Sequence, residues 1–326
     1  MKKIAVLTSG GDAPGMNACI RAIVRTANHK NIKIYGIQYG YSGLIKNNFM
    51  LFTPSDVGNT IHIGGTILKT ARSEKFKTKE GRLKALKNLK NNNIDALIVL
   101  GGDGSLTGAN VFYKEHNIPI IGIPCTIDND IYGTDYSIGF SSARETVIDA
   151  IDKIRNTAAS HERIFIIEVM GRESGHLAVE SGIAAGAEMI LIPENNNSLN
   201  EVVEKIGHIN KEKKSIIIVF AEGCKFGSLK KLSKSIRNKI KGSNVRTSVL
   251  GHIQRGGTAA PSDRILGSVL GNQSIDYILN GETNKMVGIE NKKTILISLD
   301  KAISKRNLLI KSYTIYLKLY LIINFF

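Results

Sequence analysis

The sequence predicts an α/β protein whose mainly parallel sheets are covered by helices on both faces. Three observations carry this. Short apolar runs alternate with amphipathic stretches from one end of the chain to the other. The strand-like runs are apolar almost without interruption, as parallel strands buried on both faces are. Three of the runs, at 3–8, 96–100 and 119–124, end in loops able to bring backbone N–H groups to an anion: TSGGDAPGMN, GGDGS and PCTIDND.

Taken in order, residues 3–8 read as a strand and 16–28 as a helix with Ile20, Ile23 and Val24 on one face. Residues 82–91 repeat Leu83, Leu86 and Leu89 at helical spacing, and strands follow at 96–100 and 119–124. Ser142 and Glu145 have the spacing of a capping box ahead of Val147, Ile148, Ile151 and Ile154. Further strands are expected at 164–169, 188–193, 215–221 and 245–250, with helices at 174–186, 200–210 and 262–280. The chain is expected to divide near residue 139 and to change again near 250.

Composition narrows the function. With 326 residues, 42% hydrophobic and 22% charged, the chain matches an ordinary globular enzyme. Its 44 basic and 28 acidic residues leave a formal charge of +16. The lysines are dispersed and no aromatic-plus-basic RNA motif occurs, so the excess fits drift toward Ile, Asn and Lys better than nucleic-acid binding. Cys19, Cys125 and Cys224 are too few and too widely spaced for a disulfide framework or a CxxC metal pair. The chain runs from Met1-Lys2-Lys3 straight into a strand, which predicts no secretory leader and a cytoplasmic location with reduced thiols. The tail LLIKSYTIYLKLYLIINFF is the most apolar stretch, but its two lysines argue against a membrane span.

The loops carry the chemistry. Gly10, Gly11 and Gly15 bracket Asp12 and Pro14 in a loop that is neither GxGxxG nor a Walker A sequence. It reads equally well as a tight strand-to-helix turn. Gly101-Gly102-Asp103-Gly104-Ser105 is sharper, because the glycines admit phosphate and Asp103 suits Mg²⁺, which prefers one or two carboxylates plus substrate oxygens. In Thr126-Ile127-Asp128-Asn129-Asp130, an extended backbone would put both carboxylates on one face, about 6–7 Å apart. One would serve as a base and the other would lie near metal or substrate. The competing reading is an Asx-type turn. The later half adds Arg163, Arg172, Arg246, His252 and Arg255; each arginine alone reads equally as a solvated surface charge and His252 as a structural histidine, and together they read as an anion site.

The set TSGGDAPGMN, GGDGS, PCTIDND, EVMGRESGH, FAEG and LGHIQRGG, in this order, resembles the bacterial ATP-dependent 6-phosphofructokinase family from residue 2 to about 290. The resemblance implies two Rossmann-like three-layer α/β/α domains with the active site in the cleft between them. Residues 1–138 plus 251–300 would form the larger, ATP-binding domain. Residues 139–250 would form the smaller, sugar-phosphate domain, on which 301–326 would pack. It implies transfer of phosphoryl from ATP to fructose 6-phosphate, giving ADP and fructose 1,6-bisphosphate. By motif position Asp128 would be the base toward the sugar 1-hydroxyl and Asp103 the Mg²⁺ ligand, with Asp130 beside that site. Gly11, Arg72, Ser73, Gly102, Gly104 and Ser105 would hold ATP, and Arg72 would also reach the transferring group. Thr126, Ile127, Met170, Gly171, Arg172, Glu222, His252, Ile253, Gln254 and Arg255 would bind the sugar phosphate. Arg172 would stabilise charge on the transferred group as well. Arg163 and Arg246 would reach into a neighbouring subunit's site, which implies a homotetramer.

Pyrophosphate-using relatives typically carry Asp where this chain has Gly104 and Lys where it has Cys125, so ATP is the expected donor. Arg21, Arg25, Arg155, Gly186, Glu188, Lys211, Lys213 and Lys214 match an allosteric site for ADP or phosphoenolpyruvate. Pro54 and Ser215 replace the Arg and His usual there, which implies weakened or altered control. Beyond about residue 295 the family's closing segment is hard to trace. Two other readings remain open at this level: a pyrophosphate-dependent kinase of the same fold, and a degenerate, non-catalytic nucleotide-binding protein.

Overall fold

The computed structural model describes residues 1–213 and 215–307. The elements run β1 (Lys3–Ser9), α1 (Met16–His29), β2 (Lys33–Ile37), α2 (Gly40–Lys46), β3 (Phe49–Phe52), α3 (Lys79–Asn91), β4 (Ala96–Gly101), α4 (Asp103–His116), β5 (Ile120–Pro124) and α5 (Phe140–Ser160). They continue with β6 (Ile164–Val169), α6 (His176–Ala184), β7 (Met189–Leu191), α7 (Leu199–Glu212), β8 (Ile216–Ala221), α8 (Leu229–Lys239), β9 (Val245–Val249), α9 (Pro261–Leu279), β10 (Lys285–Glu290), β11 (Lys293–Ser298) and α10 (Leu299–Ser304). The result is the expected alternation of strand and helix.

Packing divides the chain into two units. The first holds Met1–Ile127, Ile131–Ser142 and Arg255–Arg306; among the described residues the second holds Asp128–Asp130, Ala143–Gln254 and Asn307. In the first unit seven strands lie in the order β11-β10-β5-β4-β1-β2-β3. The inner pairs are parallel, and the edge pairs β2–β3 and β10–β11 are antiparallel. β1, β4 and β5 have almost no exposed side chain, so their continuous apolar runs fill a sheet buried on both faces. The core on one face gathers Leu7, Leu97, Val99, Phe112 and Met286. In the second unit four parallel strands take the order β7-β8-β6-β9, and β6 and β8 are again buried almost throughout.

Two helix readings change in detail. The stripe on α3 is Ala85, Leu86 and Leu89, with Leu83 47% exposed. Arg82 accounts for the rotation. Its guanidinium turns inward to Glu115, with Nε 2.6 Å from Oε2, and Nη1 donates to the carbonyls of Phe76 and Lys77. Ser142 does not cap a helix, because α5 already begins at Phe140. Its hydroxyl instead donates to Asp263 at 2.6 Å and accepts from the Ala260 N–H at 2.8 Å. The capping box among the described residues is Ser198 with Glu201, at the start of α7. Asp263 is 1% exposed and also accepts from the backbone N–H groups of Gly139 and Ser142. Asp263→Ala leaves those buried donors without an acceptor. It is expected to lower the unfolding free energy by about 3 kcal/mol, read from the urea midpoint.

Candidate active site

In the first unit, strand register aligns the starts of three loops. Ser9 lies opposite Gly101 across β1 and β4, and Gly101 lies opposite Pro124 across β4 and β5. The loops after these strands therefore leave the sheet side by side at its carboxyl edge, where open α/β sheets bind ligands. Gly11 faces the Arg255 side chain so closely that a Cβ there would lie 2.6 Å from Nη1. Arg255 Nη1 in turn donates to the Asp12 carbonyl at 3.1 Å, which ties the Gly-Gly-Asp loop to the residues before α9. Thr70 Oγ1 donates to the Gly10 carbonyl at 2.8 Å.

The second loop opens α4. Asp103 is its first residue, half-buried, and among the described residues its carboxylate makes no hydrogen bond or ion pair. A carboxylate at a helix N-terminus is favoured by the dipole, and here it stays available to a cation. No group of three or more His, Cys, Asp or Glu among the described residues is arranged to hold a metal. One available carboxylate without a protein cage fits Mg²⁺ completed by substrate oxygens. At Gly104 an added Cβ would meet nothing within 4 Å, so packing does not demand glycine there. Ser105 is buried, and its carbonyl accepts from Tyr41 Oη at 2.7 Å. Arg72 is exposed, and Ser73 Oγ accepts from the Phe76 N–H at 3.3 Å. Cys125 is 1% exposed, and burial pushes its thiol well above the usual range.

The third loop is not extended. Thr126 leaves the sheet and the chain turns at Ile127 and Asp128, with Asn129 in the left-handed region at φ 51°. The two carboxylates thus share no strand face, and the Asn takes up the turn as its propensity favours. Thr126 is 9% exposed and its carbonyl accepts from Ser137 Oγ at 2.7 Å, while Ile127 is fully buried. Within the second unit Asp128 is 3% exposed, and its Oδ2 lies 3.6 Å from Arg172 Nε.

The loop carrying Arg172 follows β6. Val169 is level with Ala221 across β6 and β8, so this loop and the Glu222-Gly223 loop start together. Arg172 is left-handed at φ 53°, an uncommon state for any residue other than glycine. Two contacts hold it there. Glu222 Oε1 accepts from the N–H groups of Gly171 and Arg172, at 3.3 and 2.9 Å. Gly223 lies under the Arg172 carbonyl so closely that a Cβ would sit 1.8 Å from its oxygen. Gln254 is fully buried, its Oε1 accepting from the Met170 N–H at 3.1 Å and its Nε2 donating to the Gly251 carbonyl at 2.9 Å. It thereby braces two loops instead of presenting its amide outward. His252 and Ile253 are exposed beside it. Arg246 is exposed on edge strand β9, and Arg163, just before β6, has a buried Nε. Burial and the Glu222 carboxylate raise Glu168 above the usual glutamate range.

Sequence reasoning passed over three residues around Asp128. Ser174 Oγ donates to the Asp128 carbonyl at 3.0 Å. The Asn307 N–H donates to the Asp130 carbonyl at 2.9 Å. His176 Nε2 is 2.8 Å from the Asn307 carbonyl, and burial lowers the imidazole to about 4. Only Gly175, a break just ahead of the helix, hinted at a packed turn here.

The expected effector residues fall in two groups. Arg21 and Arg25 lie on α1 of the first unit. In the second unit Arg155 Nη2 donates to the carbonyls of Ala185 and Gly186, both at 2.7 Å, and Nη1 lies 3.4 Å from Glu188. Lys213 also pairs with Glu188, whose Oε2 accepts from the Ile217 N–H at 2.6 Å. Lys211 is exposed; Lys214 and residues 308–326 lie outside the described residues.

Comparison with known proteins follows the same lines. The family described as Phosphofructokinase matches residues 3–278. A protein from Natranaerobius thermophilus described as ATP-dependent 6-phosphofructokinase is 51% identical over 306 residues, covering 94% of this chain and 95% of its own. One of the same description from Bacillus velezensis is 52% identical over 297 residues, covering 90% and 92%. Among solved structures, that of phosphofructokinase from Saccharomyces cerevisiae superposes with a TM-score of 0.86 at 36% identity; the match covers 93% of this chain and 45% of that longer one.

The two glycines make opposite predictions. Gly223→Ala forces the Arg172 carbonyl away and is expected to cost about 1–3 kcal/mol of stability. Gly104→Ala meets open space inside a helix and is expected to be neutral or stabilising by up to about 1 kcal/mol, because Ala is the better helix former. Urea titration of both variants checks the contrast.

Proposed function

This chain belongs to the phosphofructokinase family, and we propose that it transfers the γ-phosphoryl group of ATP to the 1-hydroxyl of fructose 6-phosphate in glycolysis. The observation that carries the reading is the Asp128–Arg172 pair. A carboxylate that is 3% exposed lies 3.6 Å from a guanidinium whose backbone is held by Glu222.

In this reading the sugar phosphate lies against Thr126 and the loops at Met170–Arg172, Glu222 and His252–Arg255. Asp128 takes the proton of the 1-hydroxyl as that oxygen attacks the γ-phosphorus. The bond from the γ-phosphorus to its bridging oxygen breaks, and ADP leaves. Arg172 and Arg72 offset the charge on the transferring group. The first two glycine loops hold the ATP phosphates through backbone N–H groups and the N-terminus of α4. Asp103 would hold Mg²⁺, which supplies charge neutralisation at the phosphates.

Gly104 supports ATP as donor. With no packing reason for glycine there, the open space next to Asp103 is explained by a nucleotide phosphate occupying it. Arg163 and Arg246 would serve a neighbouring subunit, which makes the working form a homotetramer in the cytoplasm. The effector cluster is engaged internally through Arg155, Lys213 and Glu188, and Pro54 and Ser215 replace two of its expected members, so regulation by ADP or phosphoenolpyruvate is weakened. Strong relief of phosphoenolpyruvate inhibition on ADP titration would overturn that last point.

A coupled assay with fructose 6-phosphate, comparing ATP with pyrophosphate and with or without Mg²⁺, tests the whole assignment. Turnover is expected with ATP and Mg²⁺ alone. Asp128→Ser is expected to lower kcat by about 10²–10⁴-fold with little change in KM, the usual contribution of a general base. Arg172→Ser is expected to damage both kcat and the KM for the sugar phosphate. Gly104→Asp is expected to fold normally yet lose at least about tenfold in kcat/KM for ATP through repulsion of its phosphates.

A further inference from the structure

We propose that His176 is a positioning residue for Asp128, acting with Ser174 through the main chain of Asn307; the inference rests on the reading of Asp128 as the base. The segment Asp128–Asp130 belongs to no strand or helix and contains a left-handed residue, Asn129. Such a segment keeps one conformation only when its surroundings over-determine it. Here the carbonyl at each end has its own donor. Ser174 Oγ donates to the Asp128 carbonyl at 3.0 Å, and the Asn307 N–H donates to the Asp130 carbonyl at 2.9 Å.

Asn307 is itself an irregular residue following α10, so something must fix it. His176, fully buried on the first turn of α6, places Nε2 2.8 Å from the Asn307 carbonyl. A carbonyl only accepts, so Nε2 carries the hydrogen. The backbone N–H of His176 lies 3.4 Å from Ser174 Oγ, so the same turn of helix supports both donors. The start of α6 thus grips the base-bearing turn twice, directly through Ser174 and indirectly through His176 and Asn307. A base must stay within hydrogen-bond reach of the hydroxyl it deprotonates, and a displacement of about 1 Å can cost two orders of magnitude in rate.

The test uses the full chain with four single variants: His176→Phe, His176→Gln, Ser174→Ala and Asp128→Ser. His176→Phe keeps a ring of similar size and removes the donor. It is expected to lower kcat about tenfold while leaving both KM values within about twofold. His176→Gln offers an N–H at the same reach and is expected to recover most of that loss. Ser174→Ala is expected to lower kcat in the same way, and it carries the test if His176→Phe fails to fold. Combining His176→Phe with Asp128→Ser is expected to give no further loss over Asp128→Ser alone, because a positioning residue acts only through the carboxylate. A merely structural role would not produce that pattern. Parental kcat in folded His176→Phe, or in Ser174→Ala should His176→Phe not fold, or losses that multiply in the double variant, would overturn the proposal while leaving Asp128 as the base. Parental turnover in Asp128→Ser would overturn the base assignment itself.

Discussion

Parallel pairing in register is the constraint on which the rest depends. β4 sits between β1 and β5 with Ser9, Gly101 and Pro124 level, so three loops far apart in sequence leave the sheet as neighbours. Adjacent strands are about 4.8 Å apart, so the three exits span roughly 10 Å, close to the reach of a polyphosphate. A one-residue slip in either pairing would stagger the exits and turn every side chain of the slipped strand to the other face. The burial of β1, β4 and β5 makes such a slip costly, and this links core packing to ligand binding. The second unit repeats the device where Val169 and Ala221 are level.

Within that frame, both units use carboxylates to organise backbone. Asp263 collects the N–H groups of Gly139 and Ser142, and Glu222 collects those of Gly171 and Arg172. Hydrogen bonds to an ionised acceptor are the stronger kind, and a buried donor left without one is expensive. Each carboxylate therefore sets a loop that no regular ladder reaches. Arg172 shows the result most clearly, since its left-handed backbone relies on Glu222 above and on the bare backbone of Gly223 below.

Much of this was legible in the sequence. Long apolar strands and helices with clear periodicity, such as β1, α1, β4 and β6, were readable because burial on both faces or on one stripe writes a strong pattern. The short strands β2 and β3 were not, because a run of four or five residues at or next to the sheet edge writes a weak one; the lysine-rich α8 was passed over although Leu229, Leu232 and Ile236 keep helical spacing. The motif residues could be matched to positions, but their surroundings could not. Ser142 has the spacing of a cap, yet a carboxylate 121 residues away decides what it does. The turn at Asn129 and the grip of Ser174 and Asn307 on its flanks depend on contacts between segments distant in the chain, which no local pattern encodes.

The thiols carry a practical consequence. Cys19, Cys125 and Cys224 are all buried, and burial pushes Cys224 up to about 12 and raises the other two well above the ordinary thiol range. Thiolate is the reactive form, so the folded chain offers maleimides and mild oxidants almost nothing to attack. The sequence also contains no tryptophan. The native protein therefore contributes no tryptophan emission and almost no thiol labelling of its own. One cysteine or tryptophan introduced at an exposed site such as Ile253 would be a single, unambiguous reporter, with no native residue to remove first.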